Sequence, residues 1–177
     1  MNYREGSSIA TIYGHTTGLK KGLLQLVEKI YRRKVPADKV VTPELARYLA
    51  GLSSDLGRQL GILVHRSGAI THVIMGEANG VFIPELDSFP LGRRALRGLR
   101  FIHTHLRNEP LNKEDLTDLL LLRFDMIAAI TVRDGLPDRI HAAHLMPQGS
   151  QDKYELISSD FYRFDLNFSE FIDNLEA

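Results

Sequence analysis

Two short apolar runs, LGILVHR at 60–66 and AITHVIMG at 69–76, are separated only by Ser67-Gly68. Runs this short, rich in β-branched residues and joined by a tight turn signal, predict a β-hairpin rather than helices. That commits the middle of the chain to a sheet. Further runs extend it: VFIPEL (81–86), LRFIHTH (99–105), DMIAAITVR (125–133) and DRIHAAHLM (138–146), the last two placed around a Gly-Leu-Pro turn. Pro84 sets VFIPEL at an edge or strand terminus. Ile9–Tyr13 and KYELIS (153–158) are weaker β-like pieces.

Helical signals surround this sheet. Leu23, Leu24, Leu26, Val27, Ile30 and Tyr31 recur at helical spacing, and Pro36 closes that segment. Thr42-Pro43-Glu44 reads as a cap, a proline in the first turn and an early acid, starting a helix that ends near Gly57. A further helix is expected from Lys113 to about Arg123, and Asp165 is a candidate cap for one running to Leu175. LGRRALRGLR (91–100) reads as a short helix or loop. The expected fold class is α/β (α+β), a single domain over 1–177 with a mixed, mostly antiparallel sheet flanked by helices. The sequence stops at FIDNLEA in mid-helix without a glycine or proline stop, as a domain-boundary cut would leave it.

Composition removes several function classes. The chain has no cysteine, which excludes disulfides, thiol catalysis and thiolate metal sites. Its formal net charge is zero, so attraction to a nucleic acid or a membrane must come from a local patch. No signal peptide is evident, and no apolar run reaches the roughly 20 residues needed to span a bilayer. A cytoplasmic location, with no membrane or DNA partner, is the expectation. The letters Asn112-Lys113-Glu114-Asp115 match a GTPase guanine tetrapeptide, but no phosphate-cradling GxxxxGK[ST] string accompanies them. This chain is not expected to bind or hydrolyse GTP.

The chemistry-bearing stretch is FIHTHLRNEPLNKEDLTDL, 101–119. In a strand, His103 and His105 share a face. Two imidazoles so placed can reach one zinc ion, with Asp115 at the following helix start as a third ligand and water in the fourth position. The same residues have a purely structural reading: Asn112 as N-cap and Asp115 three positions on as its capping-box partner. His15, His65, His72, His141 and His144 are each more readily satisfied or solvent-facing histidines than ligands. Arg93, Arg94, Arg97 and Arg100 lie close together, and YRRK at 31–34 forms a second basic stretch. Either can contact RNA phosphates or a protein partner, or simply be a solvated face.

HTHLRNEPLNKED resembles the H-x-H, loop, acid pattern of JAMM (JAB/MPN-type) metalloproteases and the related RadC family, over roughly residues 55–135. The resemblance implies a RadC/JAMM-like fold with zinc on His103, His105 and Asp115. It departs from the pattern at Leu106, at Asn112, and in lacking a glutamate base within SSDLGRQ (53–59), where Asp55 is the nearest acid. Over nearly its whole length the chain also resembles the extra N-terminal domain of long HflX-type GTPases, in YGHTTGLKKGLLQLVEKIYRRK, LRGLRFIHTHLRNEPLNKEDLTDLLLLRFDMIAAI and DLNFSEFIDNLEA. This resemblance implies a cytoplasmic parent protein associated with the large ribosomal subunit, whose GTP and magnesium sites lie in a GTPase domain outside this chain. The expected role is a non-catalytic binding or regulatory module. The alternative is a zinc-dependent hydrolase of peptide or amide bonds.

Overall fold

The computed structural model describes residues 11–83 and 96–145 in full and residues 161–167 as backbone. Its elements, in chain order, are β1 (Ile12–Gly14), α1 (Lys21–Glu28) continuing into a 3₁₀ turn (Lys29–Arg32), α2 (Pro43–Leu56), β2 (Leu60–Val64), β3 (Ile70–Met75), β4 (Arg100–His105), α3 (Lys113–Leu121), β5 (Met126–Arg133), β6 (Leu136–Leu145) and β7 (Phe161–Asn167). The strands form one sheet in the order β1-β3-β2-β4-β5-β6-β7. Only β1–β3 and β4–β5 pair in parallel; the other four pairings are antiparallel. The expected α/β class with a mixed, mostly antiparallel sheet is what the chain forms.

Local chemistry sets the ends of these elements. The Thr42 hydroxyl accepts from the Leu45 amide at 3.3 Å, and Pro43 occupies the first turn of α2. At the other end Gly57 takes the left-handed conformation (φ 60°), and the amides of Gly57 and Arg58 turn back to the carbonyls of Ser54 and Ser53. That double closure satisfies carbonyls the helix would leave open. Gly68 closes the β2–β3 hairpin at φ +86°, and a Cβ there would fall 2.6 Å from the Val35 carbonyl oxygen.

The sheet buries both faces. Ile62, Ile102, Ala128, Ile130, Ile140 and Ala142 pack with Val27, Ile30, Leu45 and Leu49 beneath α1 and α2. Leu63, Phe101, Ile127, Ala129 and Ala143 pack on the opposite face with Leu119, Leu122 and Phe124 around α3. β4 lies between these layers with all six residues buried. It is joined to the parallel β5 through α3, a crossover that lays this helix against the sheet.

Three expectations are corrected. Val81–Ile83 form no strand. β3 already has β1 and β2 on its two sides, so the run has no ladder to join beside it; Val81 and Ile83 instead pack against the α3-side core. The β5–β6 turn is Asp134-Gly135, both at positive φ, rather than Gly-Leu-Pro. Leu136 and Pro137 already belong to β6, and Pro137 is tolerated next to the register shift at Thr131/Val132. Asp165 does not start a helix: it sits within β7, paired with His141. Residues 9–10 of the first β-like piece, Pro84–Leu86, Arg93, Arg94, KYELIS and the tail beyond Asn167 lie outside the described residues.

Candidate metal centre

Alternation along β4 turns Phe101, His103 and His105 toward α3, and Ile102 and Thr104 the other way. The Thr104 hydroxyl receives the Leu60 amide at 2.9 Å and meets the Ser53 hydroxyl at 2.7 Å, fixing the strand from behind. In front, the His103 ring stacks on Phe101 at 4.9 Å with 17° between planes. His103 and His105 are 2% and 4% exposed.

Asp115 comes from the first turn of α3 and its position is fixed twice over. Its amide donates to Asn112 Oδ1 at 2.9 Å, and its Oδ2 accepts from the Asn112 amide at 2.8 Å, a complete capping box. The same carboxylate places Oδ1 3.2 Å from His103 Nε2 and Oδ2 3.7 Å from His105 Nε2. The two imidazole Nε2 atoms are 2.9 Å apart. One potential ligand atom from each of the three residues lies within 4.8 Å of the others. Among the described residues, this is the one such group of histidines and acids.

The proton positions follow from the partners. His105 Nδ1 lies 2.9 Å from the Glu109 carbonyl, which can only accept. Nδ1 therefore carries the hydrogen, and in the neutral ring Nε2 presents a bare lone pair. The short contact between the two rings then makes His103 Nε2–H the donor. His103 Nδ1 is buried, and its lone pair has no hydrogen-bond donor.

Electrostatics agree with a neutral His105. Burial, followed by the neighbouring His103, holds its pKa below 6.5 against the opposing pull of the Glu109 carbonyl and Asp115. Burial pushes Asp115 upward, but the hydrogen bond from His103, the electrostatic pull of both imidazoles and the Asn112 amide outweigh it, so the carboxylate titrates below its ordinary value. Asp118, one turn on, is raised by burial and then by Asp115 and Glu114.

Two imidazole nitrogens and a carboxylate suit zinc, and they leave a position for a further ligand. The fit is uneven. His105 has the carbonyl partner that orients a metal-binding imidazole. His103, to bind through Nε2, must move its proton to Nδ1, where no acceptor stands. An orphan buried donor costs about 1–3 kcal/mol.

A carboxylate base is not supplied by the residues preceding β2. Asp55 is exposed on α2. Gly61 pairs with His103, so two residues earlier on the antiparallel strand Gln59 falls at the level of His105. Gln59 is 6% exposed, with its Nε2 3.4 Å from the Ala78 carbonyl. An amide has no basic lone pair with which to accept a proton at neutral pH.

The remaining candidates separate. Arg97 is exposed in the turn before β4, whereas Arg100 is drawn into the fold. Its guanidinium donates to the carbonyls of Val35 (2.7 Å), Pro36 (2.9 Å) and Lys39 (2.7 Å). Arg100 is thus a clamp on the 35–39 loop and not a surface cation. His15 faces Glu77 at 3.3 Å, His65 Nδ1 meets the Ser67 hydroxyl, and His72 lies against the Tyr13 ring. His141 is buried on the same sheet face as His103, separated from it by Ala129 in the lateral register. His144 points to the other face, as the parity of the two positions requires. The roles of Phe101, Gly61 and the Glu109 carbonyl were not legible in the sequence. Each depends on a strand register or loop path that no local motif encodes.

The fold and the cluster together define an α/β domain with a buried histidine–aspartate group able to hold a metal ion. No protein-family model matches the chain, and no curated protein does. The solution structure of a protein from Salinibacter ruber (strain DSM 13855) is similar at 19% identity, covering 71% of this chain and 88% of that one, with a TM-score of 0.36. No helix among the described residues is long and apolar enough to cross a membrane.

Proposed function

We propose that this chain is a non-hydrolytic accessory domain that holds one zinc ion on His103, His105 and Asp115. The observation that carries the reading is the capping box of α3, which fixes Asp115 against two buried imidazoles whose ligand atoms already converge. Zinc held there would cross-link β4 to the start of α3 and would supply Lewis acidity. Gln59 at the level of His105 argues against turnover, because that position offers a metal-bound water no proton acceptor.

The resemblance of several separated segments to the extra domain of HflX-type GTPases supports placing this module before a GTP-binding domain, in a cytoplasmic protein that works at the large ribosomal subunit. A RadC/JAMM-like ancestry accounts for the H-x-H and acid spacing. Metal analysis of the purified chain by mass spectrometry tests the core of the reading. About one zinc per chain, lost in His103→Ala, is expected. Zinc-free protein that takes up none on titration defeats it, and zinc-dependent cleavage of peptide or isopeptide bonds replaces it with the hydrolase.

A further inference from the structure

The opposite side of the sheet carries a second feature, made of different residues. Lys29, Arg32, Arg33 and Lys34 line an open groove of about 490 Å³ together with Thr42 and Glu44. Glu44 is already paired with Arg33, whose guanidinium also covers the Tyr48 ring at 4.1 Å. Thr42 is committed to capping α2. Lys29, Arg32 and Lys34 are exposed, and none of the ion pairs among the described residues involves them. In a chain of zero net charge, three unpaired cations within six residues form a local positive ridge.

The backbone arranges these charges in a line. Lys29 and Arg32 are three residues apart in the 3₁₀ turn, so their side chains eclipse at a spacing of about 6 Å along its axis. Arg33 is extended (φ −97°, ψ 161°), and the Lys34 backbone bridges Ala69 of the hairpin, so Lys34 follows Arg32 and Arg33 along the same edge of the groove. A compact anion would want donors converging on one point. A line of cations beside an open groove matches a polymer with regularly spaced negative charges. The exposed large apolar side chains among the described residues are Phe82, Leu120, Leu121 and Leu136, and none lines the groove to enter a bilayer.

We propose that the Lys29–Lys34 groove binds the phosphate backbone of a single-stranded nucleic acid without reading its bases. No unstacked aromatic ring lines it, so neutralisation of phosphates supplies the affinity. These residues are distinct in sequence from the arginine run at 92–100 and from the candidate metal ligands, so the failure of this proposal leaves both of those readings untouched.

The test is fluorescence anisotropy with a labelled single-stranded RNA of about 20 nucleotides. Three neutralised phosphates predict a slope near −2 in log affinity against log salt, so binding weakens roughly twentyfold between about 50 and 200 mM KCl. Arg32→Glu/Lys34→Glu abolishes binding, the neutral Arg32→Gln/Lys34→Gln weakens it at least tenfold at low salt, and Lys113→Glu on the far face leaves it unchanged. Circular dichroism confirms that each variant is folded, and the neutral pair decides the outcome if the reversed pair is not. Equal binding by the chain and its folded variants, no binding at low salt, or capture by phosphatidylserine vesicles without RNA binding would each overturn the proposal.

Discussion

At the scale of single residues, Asp115 caps α3 and faces both buried imidazoles with the same carboxylate. The cap reading and the ligand reading are not rivals: the capping box is what holds the carboxylate where the histidines need it. The cap and the convergence of these side chains were legible in the spacing of His103, His105, Asn112 and Asp115, because a strand of period two followed by a capped helix is local information. What the spacing could not reveal was the His105 tautomer, which depends on where the loop carries the Glu109 carbonyl. Asp115→Asn separates the two roles, since an asparagine side-chain oxygen still accepts from the Asn112 amide but brings no negative charge. The metal-free variant should unfold within about 1 kcal/mol of the parent in urea, a typical capping change, while zinc affinity measured by calorimetry falls at least tenfold. Acid should act at the same site. His105 has a folded pKa depressed below 6.5, so the unfolded chain binds more protons as the pH falls past that value. Its contribution is intact above pH 6.5 and is lost progressively below it. Asp115, also depressed, adds a second loss at lower pH as its carboxylate protonates. Urea midpoints of the metal-free chain should therefore decline from pH 7.5 to 5.5, and less steeply in His105→Phe; a flat profile in the parent would contradict the assignment.

At the scale of elements, the sequence was most informative where the chain ends or reverses itself. The Thr42 cap, the Gly57 stop and the Ser67-Gly68 hairpin all rest on contacts within a few residues. It misled where tertiary pairing decides. VFIPEL has strand composition but meets a sheet in which β3 is already paired on both sides. Asp165 has cap chemistry but continues a ladder beside β6. The pairing of β2 with β4 also supports the histidine–aspartate group in a way that composition does not announce. Gly61 lies opposite His103, and a Cβ on it would come within 2.8 Å of Phe101 Cε2 and 2.9 Å of Val81 Cγ1. Phe101 is the ring on which His103 stacks. Gly61→Ala should therefore cost about 1–3 kcal/mol through overpacking. It should also weaken zinc binding, although residue 61 supplies no ligand. Chemical denaturation and zinc titration of this one variant check both effects; a stability loss with unchanged affinity would uncouple Phe101 from the site.

At the scale of the whole molecule, the centre is a clasp between two layers. β4 is the middle strand of the sheet and α3 leads from it into the parallel β5, so His103, His105 and Asp115 join a fully buried strand to the helix that follows it. The strand order that makes this so, β3-β2-β4-β5, was not readable from the sequence, because pairing of segments dozens of residues apart depends on the complete set of faces to be buried. A ligand held only by this folded arrangement must stabilise it by mass action. At free zinc about 100 times the dissociation constant the gain is about 2.7 kcal/mol. For a chain of this size that amounts to a melting-temperature increase of about 5–11 °C. The missing acceptor at His103 Nδ1 bears on where this gain is reached: lack of such outer support typically weakens metal affinity about 10–100-fold, so the shift should require correspondingly more zinc. Scanning calorimetry across a zinc series should show a saturable rise in the parent chain and none in His103→Ala. The Arg32→Gln/Lys34→Gln variant should retain the full rise, since its groove lies on the other face. A zinc-induced shift that persisted without His103 would place the ion elsewhere.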